Sequence, residues 1–214
     1  MTNNWLNLDT KYIEKVDNGD YDFSGDFETV SEIARVQVDS AYLTVSDSGA
    51  MAFNVKMKKE NGAFIDAQEW IRSGSEKGNK STYTDKKGNE RPLPGIVNIQ
   101  HFLKIVGEDF KSIGEPKKMI MKVFGKPTEV KVFEKLRGKQ LIVAKQAYED
   151  EYNGELKVKT KVVEFMDMDG KNYKGKERLS YWKEKFEKEP VKKLKVKQEK
   201  KEPSKDTENA LAGW

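Results

Sequence analysis

Cysteine is absent from the sequence, and histidine occurs once, at position 101. Without thiolates there is no disulfide framework and no thiolate zinc site, and a single imidazole has no second one with which to share a metal. The missing cysteine fits a reducing compartment. No apolar run approaches the ~20 residues of a membrane-spanning helix. The opening M-T-N-N-W-L-N-L-D lacks the basic-then-apolar pattern of a signal peptide. These absences lead to the expectation of a soluble intracellular protein with no membrane partner. Neither G-x-x-x-x-G-K-[ST] nor G-x-S-x-G nor H-E-x-x-H occurs, so the common nucleotide-binding, acyl-transfer and zinc-hydrolase motifs are missing. No catalytic residue, resident metal or cofactor is expected.

Apolar residues make up 36% of the chain and charged residues also 36%, a small core supply for this length. That balance predicts a compact centre with polar insertions and tails, not a large enzyme with deep clefts. The net charge of +4 from 40 basic and 36 acidic residues does not identify a polyanion binder. The distribution of those charges has to do so.

The informative stretch runs from Arg35 to Arg72. R-V-Q-V-D-S-A-Y-L-T-V is followed by S-D-S-G, then A-M-A-F-N-V-K-M-K, then E-N-G, then A-F-I-D-A-Q-E-W-I-R. This reads as three strands joined by two glycine-bearing turns. Met51, Phe53, Val55 and Met57 share one parity, while Asn54, Lys56 and Lys58 share the other. In the third strand Ile65, Ala67 and Ile71 face one way, and Asp66, Gln68, Trp70 and Arg72 face the other. Trp70 is thus expected to point outward beside cations, as a base-stacking residue does, or to be a rim residue covered by the long polar segment C-terminal to it. Val36 and Val38 differ in parity from Ala41, Leu43 and Val45, which predicts a bulge at Asp39–Ser40. A long, bent first strand leading into a meander suits a small closed barrel.

Residues 1–30 form an acidic, aromatic arm whose run D-N-G-D-Y-D-F-S-G-D-F has neither helical nor strand period as a whole, and which is expected to pack its aromatics on the body and keep its carboxylates in water. Residues 73–95 form a basic loop in which T-Y-T-D-K-K-G-N-E-R reads as a small hairpin. Lys80, Lys86, Lys87 and Arg91, interleaved with Tyr83, make it a finger suited to a polyanion. I-V-N-I-Q-H-F-L-K-I-V-G is a helix with Ile96, Ile99, Leu103 and Val106 on its apolar stripe, and His101 on it is read as structural. Further strands come after it, among them T-E-V-K-V-F, in which Phe133 shares parity with Lys131 and Lys135 and is read as a second outward stacking residue. Leu156, Val158, Thr160 and Val162 alternate with Lys157, Lys159 and Lys161, a lysine face that is either solvated or turned to phosphate. Leu179, Trp182 and Phe186 mark a docking face on a last short helix. From Pro190 the chain turns lysine-rich and is expected to be disordered, ending in D-T-E-N-A-L-A-G-W.

At this point a resemblance emerges. V-D-S-A-Y-L-T-V-S-D-S-G-A-M-A-F-N-V-K, Y-T-D-K-K-G-N-E-R-P-L-P-G and L-R-G-K-Q-L-I-V-A, together with a terminal aromatic, resemble the single-stranded DNA-binding replication proteins of tailed bacteriophages. The resemblance covers residues 31–166 and the extreme tail. It implies a mainly β fold with an OB-fold-like small barrel over 31–189, one internal helix, a C-terminal helix and a disordered tail over 190–214. It further implies a role in DNA replication, recombination and repair in the cytoplasm of an infected bacterial host. Lys56, Lys58, Arg72, Lys80, Lys86, Lys87, Arg91 and Lys131 would meet phosphates, and Trp70, Tyr83 and Phe133 would stack on bases. Asp206, Glu208, Leu211 and Trp214 would recruit replication partners. The tail departs from the family in having few acids after a lysine-rich linker, which weakens a DNA-mimic role more than a docking role. Two other classes remain open from the residues: a metal-dependent nuclease built on Asp167 and Asp169, and a protein-only structural or adaptor component.

Overall fold

The computed structural model describes residues 29–123 and 126–194. Most of the acidic arm and all of 195–214 lie outside those residues, and with them Asp206, Glu208, Leu211 and Trp214. Strand β1 (Glu32–Val45) is followed by β2 (Met51–Lys59) and β3 (Phe64–Arg72), then by the short strands β4 (Thr82–Thr84) and β5 (Glu90–Pro92). Helix α1 (Pro94–Ile105) leads to β6 (Lys117–Val123), β7 (Lys126–Val132), β8 (Gln140–Tyr152) and β9 (Glu155–Met166). Helix α2 (Leu179–Lys188) and the two-residue β10 (Val191–Lys192) complete the described chain. Among the described residues the protein is mainly β with two α-helices.

β1 organises the sheet. One edge pairs antiparallel with β2 from Val36 to Val45. The other edge is divided: Glu32–Gln37 pair with β8, and Tyr42–Leu43 with β7. The expected bulge is present as a register shift between Val38 and Ser40. It lets Val36 and Val38 before it, and Ala41 after it, all point into one core. Glu32 ties the strands at this end, accepting from Lys59 at 3.1 Å and from Lys145.

The core lies inside the curve of the sheet. Phe53, Val55 and Met57 meet Leu141, Val143 and Phe165 across it, and α1 closes one end with Ile99, Phe102, Leu103 and Val106. Phe102 is fully buried, although the period-3.6 stripe read from the sequence passes it over. On the opposite face of the sheet, Ile142 and Ala144 of β8 and Met166 of β9 receive Trp182 of α2. Glu164 on β9 fixes that helix, accepting from Arg178 Nε at 2.9 Å and from the indole N–H of Trp182.

Two expectations need correction. The closed barrel is not formed: among the described residues β3 pairs with β2 alone and β9 with β8 alone, so no ladder joins β3 to β9. The seam between them is an open cleft of about 540 Å³ lined by Asp66, Gln68, Asn98, Tyr148 and Lys161. Burial raises the carboxyl pKa of both Asp66 and Glu69 there, with Lys56 opposing at the first and Asn98 and Lys161 at the second. Edges carrying such groups stay apart, because closing the seam would desolvate them further. Phe133 is the second correction. It is 8% exposed and stacked on Phe53 with ring centroids 5.2 Å apart. β7 ends at Val132, and Phe133 opens a 3-10 turn over Glu134–Leu136 while its N–H reaches the Ala41 carbonyl at 2.8 Å. With Lys131 abreast of Leu43 and Val132 abreast of Tyr42, Phe133 falls opposite Ala41 on the core side. The alternation holds, and it is the face assigned to that parity that was wrong.

The segment after α1 is held by one carboxylate. Glu108, with a side chain 5% exposed, accepts from Lys135 at 2.7 Å, from Ser112 at 2.7 Å and from Lys139 at 3.0 Å. Lys135, Ser112 and Lys139, in that order, lower its pKa from the usual 4.5 to about 2. A carboxyl depressed in the folded state stabilises above its unfolded pKa and loses that stabilisation as pH falls through the folded one. Wild-type melting temperature should therefore fall between pH 4.5 and 2, and Glu108→Gln should flatten that fall while lowering the plateau above about pH 5. Identical pH profiles for the two proteins would show that the cluster does not stabilise the fold.

Candidate nucleic-acid interface

The outward face of β1–β3 can be read rung by rung from its register. Thr44, Ala52 and Trp70 lie abreast, then Tyr42, Asn54 and Gln68, then Ser40, Lys56 and Asp66, and finally Gln37, Lys58 and Phe64. Below the middle of this surface Asn54 donates to Thr44 Oγ1 at 3.0 Å and accepts from Gln68 Nε2 at 2.9 Å. A paired buried amide of this kind keeps the face rigid.

Trp70 stands at one end, 49% exposed. Its position is set by its backbone. Gly95, near the start of α1, packs so closely that a Cβ there would fall 2.2 Å from the Trp70 carbonyl oxygen. No other residue permits that approach. Around the ring is a groove of about 760 Å³ lined by Trp70, Arg72, Lys77, Leu93, Pro94 and Gly95, with Glu69 and Glu76 on its rim. The groove is built where the β1–β2 turn and the loop after β3 are tied together by Ser75 N–H to the Ser48 carbonyl at 2.7 Å, and that loop is closed on itself by Ser73 N–H to the Lys80 carbonyl at 2.8 Å. Arg72 is partly committed, donating from Nε to the Gly49 carbonyl at 3.1 Å. Lys80 is exposed beside it.

The far end of the face carries a second aromatic, one not singled out from the sequence. Phe64 is 42% exposed, and Lys56 Nζ lies 4.3 Å from its ring centroid. The parity that selects Trp70 also selects Phe64, so the signal was present. Beyond it, Arg35, Gln37, Lys58 and Gln140 line a pocket of about 310 Å³ with Met168. Arg35 and Lys58 are exposed, and neither forms an ion pair among the described residues. Asp66 sits beside Lys56 in the register and breaks the positive run at that rung.

The finger is the expected hairpin. Tyr83 lies opposite Arg91 and is 44% exposed. Asp85 folds the tip by accepting from the backbone N–H of Lys87 and of Asn89, each at 2.9 Å, and it pairs with Arg91 Nε at 3.2 Å. The backbone N–H of Asn89 is the largest cause holding its carboxyl below the usual range. Lys86 and Lys87 project from the tip, exposed.

Lys131 is placed apart from this surface. It is exposed, but it lies abreast of Leu43, which lies abreast of Phe53, so its parity is that of the core face. The lysines of β9 are largely engaged within the β8–β9 hairpin: Lys157 pairs with Glu155, Lys159 with Asp150, and Lys161 lies over the Tyr148 ring. His101 stacks on Tyr173 at 3.4 Å between centroids, with burial foremost and then Lys104 and Lys174 lowering its pKa. It seats the loop before α2 on α1. Asp167 spends one carboxylate oxygen on the backbone N–H groups of Asp169 and Lys171, at 3.0 and 2.8 Å, which makes the pair a turn. Among the described residues no three histidine, aspartate or glutamate side chains gather to hold a metal.

No protein-family model matches the chain, and no curated protein does either.

Proposed function

We propose that this chain is a phage-type single-stranded DNA-binding protein, acting in DNA replication and recombination without strong sequence preference. The observation that carries the reading is the outward face of β1–β3, where two exposed aromatics, Trp70 and Phe64, stand with Lys56 between them, Lys58 abreast of Phe64 and Arg35 just beyond it. The rings are six residue steps apart along β3, roughly 20 Å at ~3.4 Å per residue. Bases stacked on the two rings, with phosphates meeting the cations of the same face, need no base-specific hydrogen bonds. That distance suits the short end of the ~4–16 nucleotides engaged by one OB-fold. The strand order β3-β2-β1-β8-β9, with α1 entering after β3, supports an OB-type plan left partly open at one seam. Tyr83, Lys86 and Lys87 on the finger extend the basic surface beyond the Trp70 groove. Partner recruitment through Asp206, Glu208, Leu211 and Trp214 belongs to the same proposal, as does action in the cytoplasm of an infected bacterium.

Titration with an unstructured oligonucleotide tests the reading through tryptophan fluorescence. Quenching is expected, with log affinity falling against log salt by about 0.7 per phosphate neutralised. A set of about four to six free cations on this face predicts a slope of roughly −3 to −4. Binding indifferent to salt, or tighter binding to duplex than to single strands, is the result that defeats it.

A further inference from the structure

β6 is an edge strand. It pairs with β7, and its other edge is unpaired among the described residues. Exposed sheet edges are usually short or guarded by charge. This one spans Lys117–Val123 and presents Ile120 at 78% exposure and Met119 at 45%. Its two faces differ in kind. Lys118, Ile120 and Lys122 share one, where Lys118 also pairs with Glu129 of β7 at 3.0 Å, and Met119, Met121 and Val123 share the other, with Lys117 at its end drawn to Glu134. A strand that completes the edge therefore needs acids on one parity and apolar side chains on the other.

The chain contains such a segment outside the described residues. Asp20-Tyr21-Asp22-Phe23 alternates carboxylate with aromatic, within an arm whose residues 1–28 hold seven acids and two lysines. We infer that residues 20–23 of a second copy of this chain add to β6 as an extended strand. Asp20 and Asp22 then lie on the Lys118–Lys122 face and Tyr21 and Phe23 on the Met119–Met121 face. The parity works for either strand direction. A self-pairing of two β6 strands is disfavoured, because centring on Ile120 would set Lys118 against Lys122 of the other copy.

Reach decides between the same chain and another. The arm emerges at Thr29 beside β8, where Ser31 accepts from the Ala147 N–H at 2.9 Å. β6 lies past the other end of β1, whose pairing with β7 starts only at Tyr42. From Phe23 to Thr29 the chain spans roughly 20 Å, whereas β1 from Glu32 to Tyr42 alone runs roughly 33 Å. The partner is accordingly a neighbouring molecule.

The cysteine-free background makes the test direct. Full-length Tyr21→Cys and Met119→Cys proteins are mixed under mild oxidation and run on a non-reducing gel. A mixed disulfide dimer is expected at about tenfold the yield given by Tyr21→Cys with Val158→Cys, an exposed position on β9. Asp20→Lys with Asp22→Lys in the first protein should reduce it to the control level, and Lys118→Glu with Lys122→Glu in the second should restore it. Yields equal to the control overturn the inference. So does a chain carrying both cysteines that closes on itself as a monomer, or a charge reversal that the compensating pair does not rescue. None of these readouts involves DNA, so they stand or fall separately from the proposed function.

Discussion

Replacing Phe133 with alanine is expected to cost about 3–5 kcal/mol of stability, the usual range for deleting a buried phenyl ring. For a domain of this size that lowers the melting temperature by roughly 10 °C. The ring lies against Phe53 and within the cluster that includes Ala41 and Leu136, and a truncated side chain there leaves a cavity that the surrounding strands fill poorly. Single-strand affinity, measured well below the new melting point, should stay within about twofold of wild type. Thermal melts and oligonucleotide titrations on one preparation check both halves. A variant that melts like wild type but binds weakly would return Phe133 to the surface where sequence parity had put it.

Trp70→Ala should behave in the opposite way. With half its surface exposed at the mouth of a groove, the indole contributes less to the core than to whatever occupies that groove. Loss of one base-stacking platform is worth about 1–3 kcal/mol of binding, or roughly 5- to 150-fold in affinity. The melting temperature should move little. Trp70→Phe should recover much of the affinity, since a smaller ring still offers a face, while Trp70→Leu should not. If Trp70→Ala instead unfolds early and Trp70→Leu restores both stability and affinity, the indole is a cover for the Gly95 contact and stacks on nothing. Phe64→Ala offers a milder version of the same comparison at the other end of the face, with Lys56 losing its ring contact as well.

The pair of variants also marks where local reasoning works. Trp70, Phe64, Lys56 and Lys58 sit in the interiors or starts of paired strands, where side chains alternate with a period of two whatever the rest of the molecule does. Their orientation was readable for that reason, and so was the bulge at Asp39–Ser40, which shows as a slip in the apolar parity. The finger was readable because Asp85 and Gly88 meet a specific backbone need, a carboxylate cap and a residue at φ +83°. Helix α1 carried its own start signal in Pro94.

Other features depended on contacts distant in sequence. Phe133 keeps the parity of Lys131, but which parity of β7 faces the core is set by its pairing with β1 and by the ring of Phe53. Val130 and Val132 on the other parity are buried too, so the alternation by itself pointed to the wrong face. The seam between β3 and β9 stays open because Asp66 and Glu69 of β3 face Lys161 of β9 and Tyr148 of β8 across it, groups that closure would desolvate and that only the tertiary fold brings together. The Arg35–Lys58 pocket joins residues of β1, β2, β8 and the loop after β9, and no spacing in the chain announces it. Alternation, turn chemistry and helix signals are properties of a few neighbouring residues, so composition and order alone determine them. Sheet closure, burial at a strand's end and the gathering of unpaired cations depend on which distant segments arrive first at the same volume, and the tertiary structure decides those.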